Sequence, residues 1–262
     1  MCEAVHPFTL TIGGAPVKGQ AFVPATGGDR GTGLIISHGI PSGITPQNPE
    51  RHGYDYLGRF FSRRGFTTLI FNFRGTGSSG GNLDLVNWTE DLREVINYYV
   101  HTYGTPSPDL ILMGFSAGAA VSVEVAVGDR RVKALALGAC PQNFVFFADR
   151  LPAADLWGWF KAAGMFRQPE SLPTPEKWIT RLLSICPEDK VAQLAPRRLL
   201  IMHGDEDEVV PCTHAEELYR RAGKGINRRL VLFPGVGHQL RVSRRVWRYL
   251  AHWLEETEKE AP

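Results

Sequence analysis

The segment that most constrains this sequence is GFSAG at positions 114–118, which joins a buried strand to a helix. The apolar run 109–113 predicts the strand, and the small and apolar residues 119–126 predict the helix. A serine between two glycines at such a junction is the pattern of a nucleophile elbow. Side chains two residues either side of Ser116 would collide with the neighbouring strand and helix, so both positions favour glycine. The pattern predicts an exposed hydroxyl at the positive end of a helix.

The pentapeptide alone is also compatible with a turn that serves only packing, so its function depends on partners elsewhere in the chain. The length of 262 residues suits one large α/β domain, alone or with an insertion. A net charge of +2 without a basic, aromatic-rich stripe argues against a nucleic-acid partner. No segment approaches the roughly 20 apolar residues that span a bilayer, and the N-terminus does not resemble a signal peptide. We expect a cytoplasmic protein without a membrane partner.

The spacing of the cysteines also favours a cytoplasmic protein. They are widely spaced and show no metal-ligand pattern, at Cys2, Cys140, Cys186 and Cys212. We expect free thiols in a reducing environment, with a Cys140–Cys186 disulfide left open.

The hydrophobic pattern predicts an α/β fold. Eight short segments read as strands, at 8–12, 17–23, 33–37, 66–71, 109–113, 132–137, 198–202 and 229–233. Apolar stripes at helical spacing separate most of them, and Asn87 with Glu90 fits a capping pair at the start of one helix. Nearly continuous apolar strands separated by helices predict a mostly parallel eight-stranded sheet with helices on both faces.

One stretch breaks the alternation. Residues 141–196 are rich in aromatic residues and prolines and are too long for a simple connection. We interpret them as a helical cap inserted after the sixth strand, over the carboxyl edge of a core made of residues 1–140 and 197–262. Most of its aromatic side chains would form the core of the cap, and some would face the site below.

A serine hydroxyl needs a histidine base, and the histidine needs an orienting carboxylate. In this architecture the expected chain order is serine, acid, histidine. His238 follows the last strand, and four carboxylates follow the preceding one: Asp205, Glu206, Asp207 and Glu208. The serine, the histidine and the four carboxylates all follow strands whose ends converge, so a catalytic triad can form. Which carboxylate is its acid stays open at this point.

At this point the chain resembles the α/β-hydrolase fold family, in particular its capped esterase, lipase and serine-peptidase-like members. The resemblance rests on HGDEDEVVP at 203–211, on His38-Gly39 after the third strand, and on the loop 72–81. It implies that Asp207 is the acid, with Asp205 as the second candidate. Asn72 departs from the aspartate usual in the family, without an obvious catalytic consequence. Residues 140–143 offer no carboxylate for the alternative acid position after the sixth strand.

Acyl transfer also needs donors aimed at the developing oxyanion. The backbone N–H of Ala117, the residue after the nucleophile, is one, and the resemblance implies Ile40 as the other. We expect His203 to be a structural hydrogen-bonding residue and do not expect His38 to act as a base. The remaining histidines have no motif context and are expected at the surface: His6, His52, His101, His214 and His252.

These features predict a serine hydrolase that cleaves small to medium carboxylic esters with an apolar acyl or aryl group. No metal or organic cofactor is required, and the partner is a small-molecule substrate; a homodimer is left open. Arg150, Arg167 and Arg181 of the cap are available to a charged substrate. Peptidase, amidase or thioesterase activity on the same triad, a cofactor-free haloperoxidase, or a non-catalytic binding protein are the alternatives. Dehalogenase chemistry would need an aspartate where Ser116 stands.

Overall fold

The fold was obtained as a computed structural model, which describes residues 4–25, 28–41, 53–104, 109–225 and 227–259. Cys2 and His52 therefore lie outside the described residues.

The described residues form one eight-stranded sheet. Its strands are β1 (Ala4–Ile12), β2 (Ala15–Val23), β3 (Thr32–Ser37), β4 (Thr67–Phe71), β5 (Asp109–Phe115), β6 (Val132–Gly138), β7 (Arg198–Gly204) and β8 (Arg228–Phe233). Their order is β1-β2-β4-β3-β5-β6-β7-β8. β2 is antiparallel to both β1 and β4, and every other pairing is parallel. The mostly parallel eight-stranded sheet expected from the sequence is confirmed.

The antiparallel edge begins with the hairpin predicted at Gly13-Gly14. Ile12 pairs with Ala15, so the two glycines alone make the turn. Their φ angles of 55° and 76° lie in the left-handed region that a two-residue type I′ hairpin requires.

Helices cover both faces of the sheet. They are α1 (Tyr54–Ser62), α2 (Leu85–Thr102), α3 (Ala117–Gly128), α4 (Val145–Ala148), α5 (Ala153–Ala162), α6 (Pro175–Leu183), α7 (Thr213–Arg221) and α8 (Arg244–Lys259). One buried core joins α2, α3 and α7 to one face, and a second core joins α1 and α8 to the other. Among the helices of the described ranges, none combines the length and apolarity needed to cross a membrane.

The start of α2 differs from the sequence prediction. The N-cap is Asp84, whose side chain accepts hydrogen bonds from the backbone amides of Val86 and Asn87. The predicted capping pair of Asn87 and Glu90 is therefore wrong, because the N-cap lies three residues earlier and the helix begins at Leu85. The apolar stripe marked the buried face of the helix but not its first turn.

The segment predicted to be an insertion, residues 141–196, lies between β6 and β7 and contains α4, α5, α6 and three short 3₁₀ turns; we keep the name insertion for it. It packs beside α2: Phe160 and Trp178 are buried in the core that α2 shares. The Trp178 indole N–H donates to the Leu83 carbonyl at 3.0 Å, and the Leu83 N–H donates to the Met165 carbonyl at 2.9 Å. Backbone and side chain together thus tie the insertion to the segment that precedes α2.

The described cysteines are free thiols: Cys140, Cys186 and Cys212. The disulfide left open between Cys140 and Cys186 does not form. The Cys140 thiol lies against the Pro141 carbonyl, whereas the Cys186 thiol lies 3.9 Å from the Glu188 carboxylate.

Candidate active site

Ser116 lies at the junction between β5 and α3 in a strained backbone conformation, with φ 53° and ψ −127°. A Cβ at Gly114 would lie 2.4 Å from the Ala119 Cα, and one at Gly118 would lie 2.3 Å from the His38 carbonyl oxygen. The two glycines are therefore required by close backbone packing, as the pentapeptide predicts. This packing fixes the direction in which the Ser116 hydroxyl points.

The structure brings Ser116, His238 and Asp207 into one hydrogen-bonded chain. His238 Nε2 is 3.1 Å from Ser116 Oγ, and His238 Nδ1 is 2.8 Å from Asp207 Oδ2. Because Nδ1 faces a carboxylate, it carries the proton and donates. Nε2 then presents a lone pair to the serine hydroxyl, as a general base must.

The Asp207 carboxylate is fully buried and surrounded by donors. Its Oδ1 accepts from the amides of Val209 and Val210, each at 2.9 Å, while Oδ2 lies 3.1 Å from Nε2 of the buried His203. Burial by itself raises the pKa of Asp207, but hydrogen bonds from His203, His238 and the Val210 amide outweigh it and hold that pKa well below its usual value. Asp207 is thus a fixed negative charge behind His238.

The other three carboxylates of this loop are exposed. Asp205, the second candidate for the acid, accepts a hydrogen bond from the Gly235 amide at 2.7 Å. It therefore braces the loop that carries His238 instead of contacting the imidazole. Among the four candidates, Asp207 is the one that meets His238 within hydrogen-bond distance.

His38 is buried and held in one tautomer. Its Nδ1 donates to the Gly39 carbonyl at 2.6 Å, and its Nε2 accepts from the Phe73 amide at 3.1 Å. Burial lowers the pKa of His38 to about 4, so the ring is neutral at pH 7. It links the loop after β3 to the loop after β4, as expected of a residue that is not the base.

The predicted oxyanion donors flank the serine. A Cβ at Gly39 would lie 2.7 Å from the Ser116 Cβ, so the loop that carries Ile40 passes directly against the nucleophile. As the first residue of α3, Ala117 carries one of the N–H groups that a helix leaves without an intrahelical acceptor. Both residues therefore lie next to Ser116, on different elements.

A cleft of about 450 Å³ opens above the serine. Its described lining comes from the loops after β3, β4 and β8 and from α1, with Val209 at one side: His38–Pro41, Tyr54, Asn72, Thr76, Gly77, Phe115, Ser116, Val209 and His238–Arg241. No described residue of the insertion is among them, which differs from the aromatic wall expected there. The insertion instead lines an adjoining cleft of about 300 Å³, together with residues 75–77 and Pro41.

Sequence reasoning missed two side chains of the main cleft. The Tyr54 ring lies edge-on to Phe115 at 6.1 Å, and the Arg241 guanidinium lies 5.6 Å from its centroid. Burial raises the pKa of Tyr54 to about 12, so the phenol stays protonated. Tyr54 belongs to the apolar stripe of α1 and gave no sign of facing the site. The nearness of Arg241 to His238 in sequence was the available signal.

His214 was expected at the surface, and this prediction is wrong. It is only 8% exposed, accepts a hydrogen bond from the Gln142 amide at 3.1 Å and packs against Phe146. The insertion buries it, and a contact between segments so distant in sequence leaves no local pattern.

The three arginines of the insertion are engaged within the protein. Arg150 donates to the Val209 carbonyl at 3.0 Å, and Arg181 pairs with Asp84 at 2.5 Å. Arg167 donates to the Gly77 carbonyl at 3.0 Å and to the Ser79 carbonyl. Their geometry serves attachment of the insertion to the core.

Comparisons with known proteins agree with this fold. A model described as the alpha/beta hydrolase family matches residues 34–247. The uncharacterized protein YfhR of Escherichia coli is 26% identical over 222 residues, which are 83% of this chain and 67% of YfhR. An alpha-beta serine hydrolase homologue from Coxiella burnetii has a TM-score of 0.63 at 22% identity, covering 98% of this chain and 97% of that one. Est1E from Butyrivibrio proteoclasticus has a TM-score of 0.71 at 18% identity, covering 97% and 99%. At these identities the solved structures show a shared fold.

Proposed function

Because this chain belongs to the alpha/beta hydrolase family, we propose that it is a serine hydrolase that cleaves carboxylic esters through an acyl-enzyme on Ser116. The observation that carries the proposal is the continuous chain Ser116–His238–Asp207, with contacts of 3.1 Å and 2.8 Å. A hydrogen-bonded nucleophile, base and orienting acid is the arrangement that activates a serine hydroxyl.

In the first step, Ser116 Oγ attacks the ester carbonyl carbon while His238 Nε2 takes the hydroxyl proton. The imidazolium that forms keeps its Nδ1–H on Asp207, whose buried negative charge stabilises it. As the tetrahedral intermediate collapses, His238 returns the proton to the leaving alcohol. Water then attacks the acyl-enzyme by the same route, with His238 as base, and releases the carboxylic acid. No step requires a metal or an organic cofactor.

The negative charge that develops on the carbonyl oxygen needs preorganised donors. We assign this role to the backbone N–H groups of Ala117 and Ile40. The close approach of Gly39 to Ser116 supports the assignment, because it brings the loop after β3 to the serine. Removal of one such donor typically costs about 100- to 1,000-fold in kcat.

We further propose that residues 141–196 act as the cap of this site. Their attachment beside α2, at the Met165 and Trp178 contacts, supports a wall next to the serine cleft. The arginines of the insertion are paired within the protein, which favours an uncharged substrate. A small to medium ester with an apolar acyl or aryl group suits such a site.

The test is covalent labelling with a fluorophosphonate probe, which reacts with activated serines. We expect labelling of the wild-type protein and its loss in Ser116→Ala and His238→Ala, whereas His252→Ala, at an exposed histidine that does not line the serine cleft, labels normally. Equal labelling of Ser116→Ala would contradict the proposal. A parallel panel of p-nitrophenyl esters, anilides and thioesters then separates esterase activity from amidase or thioesterase activity.

A further inference from the structure

The cleft lined by the insertion continues the serine cleft. It is lined in the described chain by Pro41, residues 75–77, Trp159, Ala163, Met165 and Arg167, and we call it the side cleft. Pro41, Thr76 and Gly77 line both clefts, so they form a shared rim. A group attached to an ester at Ser116 can therefore cross this rim without leaving the protein surface.

We infer that the side cleft binds the apolar group of the substrate, an aryl ring or an unbranched alkyl chain longer than butyl, while the ester lies at Ser116. This inference rests on the proposed function and adds the position of the subsite and the chemical class of the group it binds. Such a group buries apolar surface against apolar walls, which is the main source of affinity in small-molecule sites.

The apolar walls of the side cleft are Trp159, Ala163 and Met165. Trp159 is 50% exposed, which leaves an unusually large apolar surface in contact with water. It packs edge-on against the buried Phe160 at 4.8 Å between centroids. A fixed aromatic ring that faces a cleft is suited to bind a flat or extended apolar group at low entropic cost.

The floor of the side cleft is rigid because the loop after β4 packs closely on the insertion. A Cβ at Gly75 would lie 2.6 Å from the Met165 carbonyl oxygen and 2.3 Å from the Leu83 amide nitrogen. The Met165 amide donates to the Phe160 carbonyl at 3.1 Å, which closes the end of α5. The cleft is therefore largely formed before a substrate binds.

The one charged side chain among the described residues that line the side cleft is engaged in hydrogen bonds to backbone carbonyls. Arg167 lines it, but its guanidinium donates to the carbonyls of Gly77 and Ser79 and its Nε donates to the Gly164 carbonyl. Arg167 thus holds the rim in place instead of presenting its charge to a ligand. The group that binds here should therefore be uncharged.

The experiment compares Trp159→Ala with Leu151→Ala. Leu151 belongs to the same insertion and is similarly exposed, at 48%, but it does not line the side cleft. For Trp159→Ala we expect kcat/KM on ethyl octanoate to fall about tenfold, whereas the value on ethyl acetate stays within about twofold of wild type. Leu151→Ala should leave both values unchanged, and Trp159→Phe should recover part of the loss.

A second series varies the alcohol, with octyl acetate against ethyl acetate. A loss confined to the acyl series assigns the acyl chain to the side cleft, and a loss confined to the alcohol series assigns the alcohol; either result supports the subsite. Equal losses for long and short esters, or no loss for either, would overturn it. The proposed function fails separately, if no ester is hydrolysed in a manner that depends on Ser116. Matching thermal unfolding of the variants shows that the fold is intact.

Discussion

The carboxyl edge of the sheet and the insertion are held by different forces. At the edge, polar side chains are fixed by hydrogen bonds and close backbone contacts, as for Asp207 with its amide and imidazole donors. The insertion is held mainly by apolar burial of Phe160 and Trp178, with an ion pair from Arg181 at its margin. Changes at the edge should therefore alter the chemistry, whereas changes in the insertion should alter stability and substrate range.

The largest expected effect is on the acid of the edge. Asp207→Asn keeps the shape of the side chain but removes the charge behind His238 and allows the wrong tautomer, so kcat should fall by about 10⁴. Asp205→Asn should lose little, because Asp205 contacts the Gly235 amide and not His238. Ester hydrolysis by the purified variants measures both. If only Asp205→Asn lost several orders of magnitude, the acid would be misassigned.

The insertion should respond through stability. Trp178 is 1% exposed, so Trp178→Ala leaves a large cavity and should lower the free energy of unfolding by about 3–5 kcal/mol. Trp159→Ala, at a half-exposed tryptophan of the same insertion, should change it by less than about 0.5 kcal/mol. Urea unfolding followed by circular dichroism measures the difference. Equal losses for the two variants would mean that the insertion is not held by burial.

The same contrast explains what the sequence could predict. The meeting of Ser116, Asp207 and His238 could be predicted because each follows a strand of the parallel part of the sheet, and parallel strands bring their ends together. The cap was expected above the serine, yet the described lining of the serine cleft includes none of its residues. Side-chain contacts such as that of His214 with the Gln142 amide join distant segments and leave no periodic signal. The period of an apolar stripe gives the buried face of a helix, but not what packs on it.

The next effect concerns the protonation of the edge. The pKa of His38 is lowered from its ordinary 6.5 to about 4 in the folded protein. Between pH 6.5 and pH 4, His38 is therefore protonated in the unfolded chain and neutral in the folded one. The contribution of neutral His38 to the free energy of unfolding is thus fully present above pH 6.5. It falls by about 3 kcal/mol as the pH is lowered to 4. Relative to His38→Gln, the wild type should lose that much more stability between pH 7 and pH 4 in urea unfolding. Parallel pH profiles for the two proteins would contradict a neutral, buried His38.

The smallest expected effect tests whether the edge depends on a second histidine. His203 Nε2 lies 2.9 Å from the Val210 carbonyl and 3.1 Å from Asp207 Oδ2, so it carries the proton and acts as a positioning residue for the acid. Its removal in His203→Leu leaves Asp207 with one donor fewer, so the pKa of Asp207 rises from its lowered value. We expect kcat to fall about tenfold at unchanged KM, and the acidic limb of the pH–rate profile to move to higher pH. His203→Gln, which retains an N–H donor, should recover part of both changes. A loss of rate without any shift in the pH profile would make His203 a packing residue only, because packing alone does not change the proton affinity of the acid.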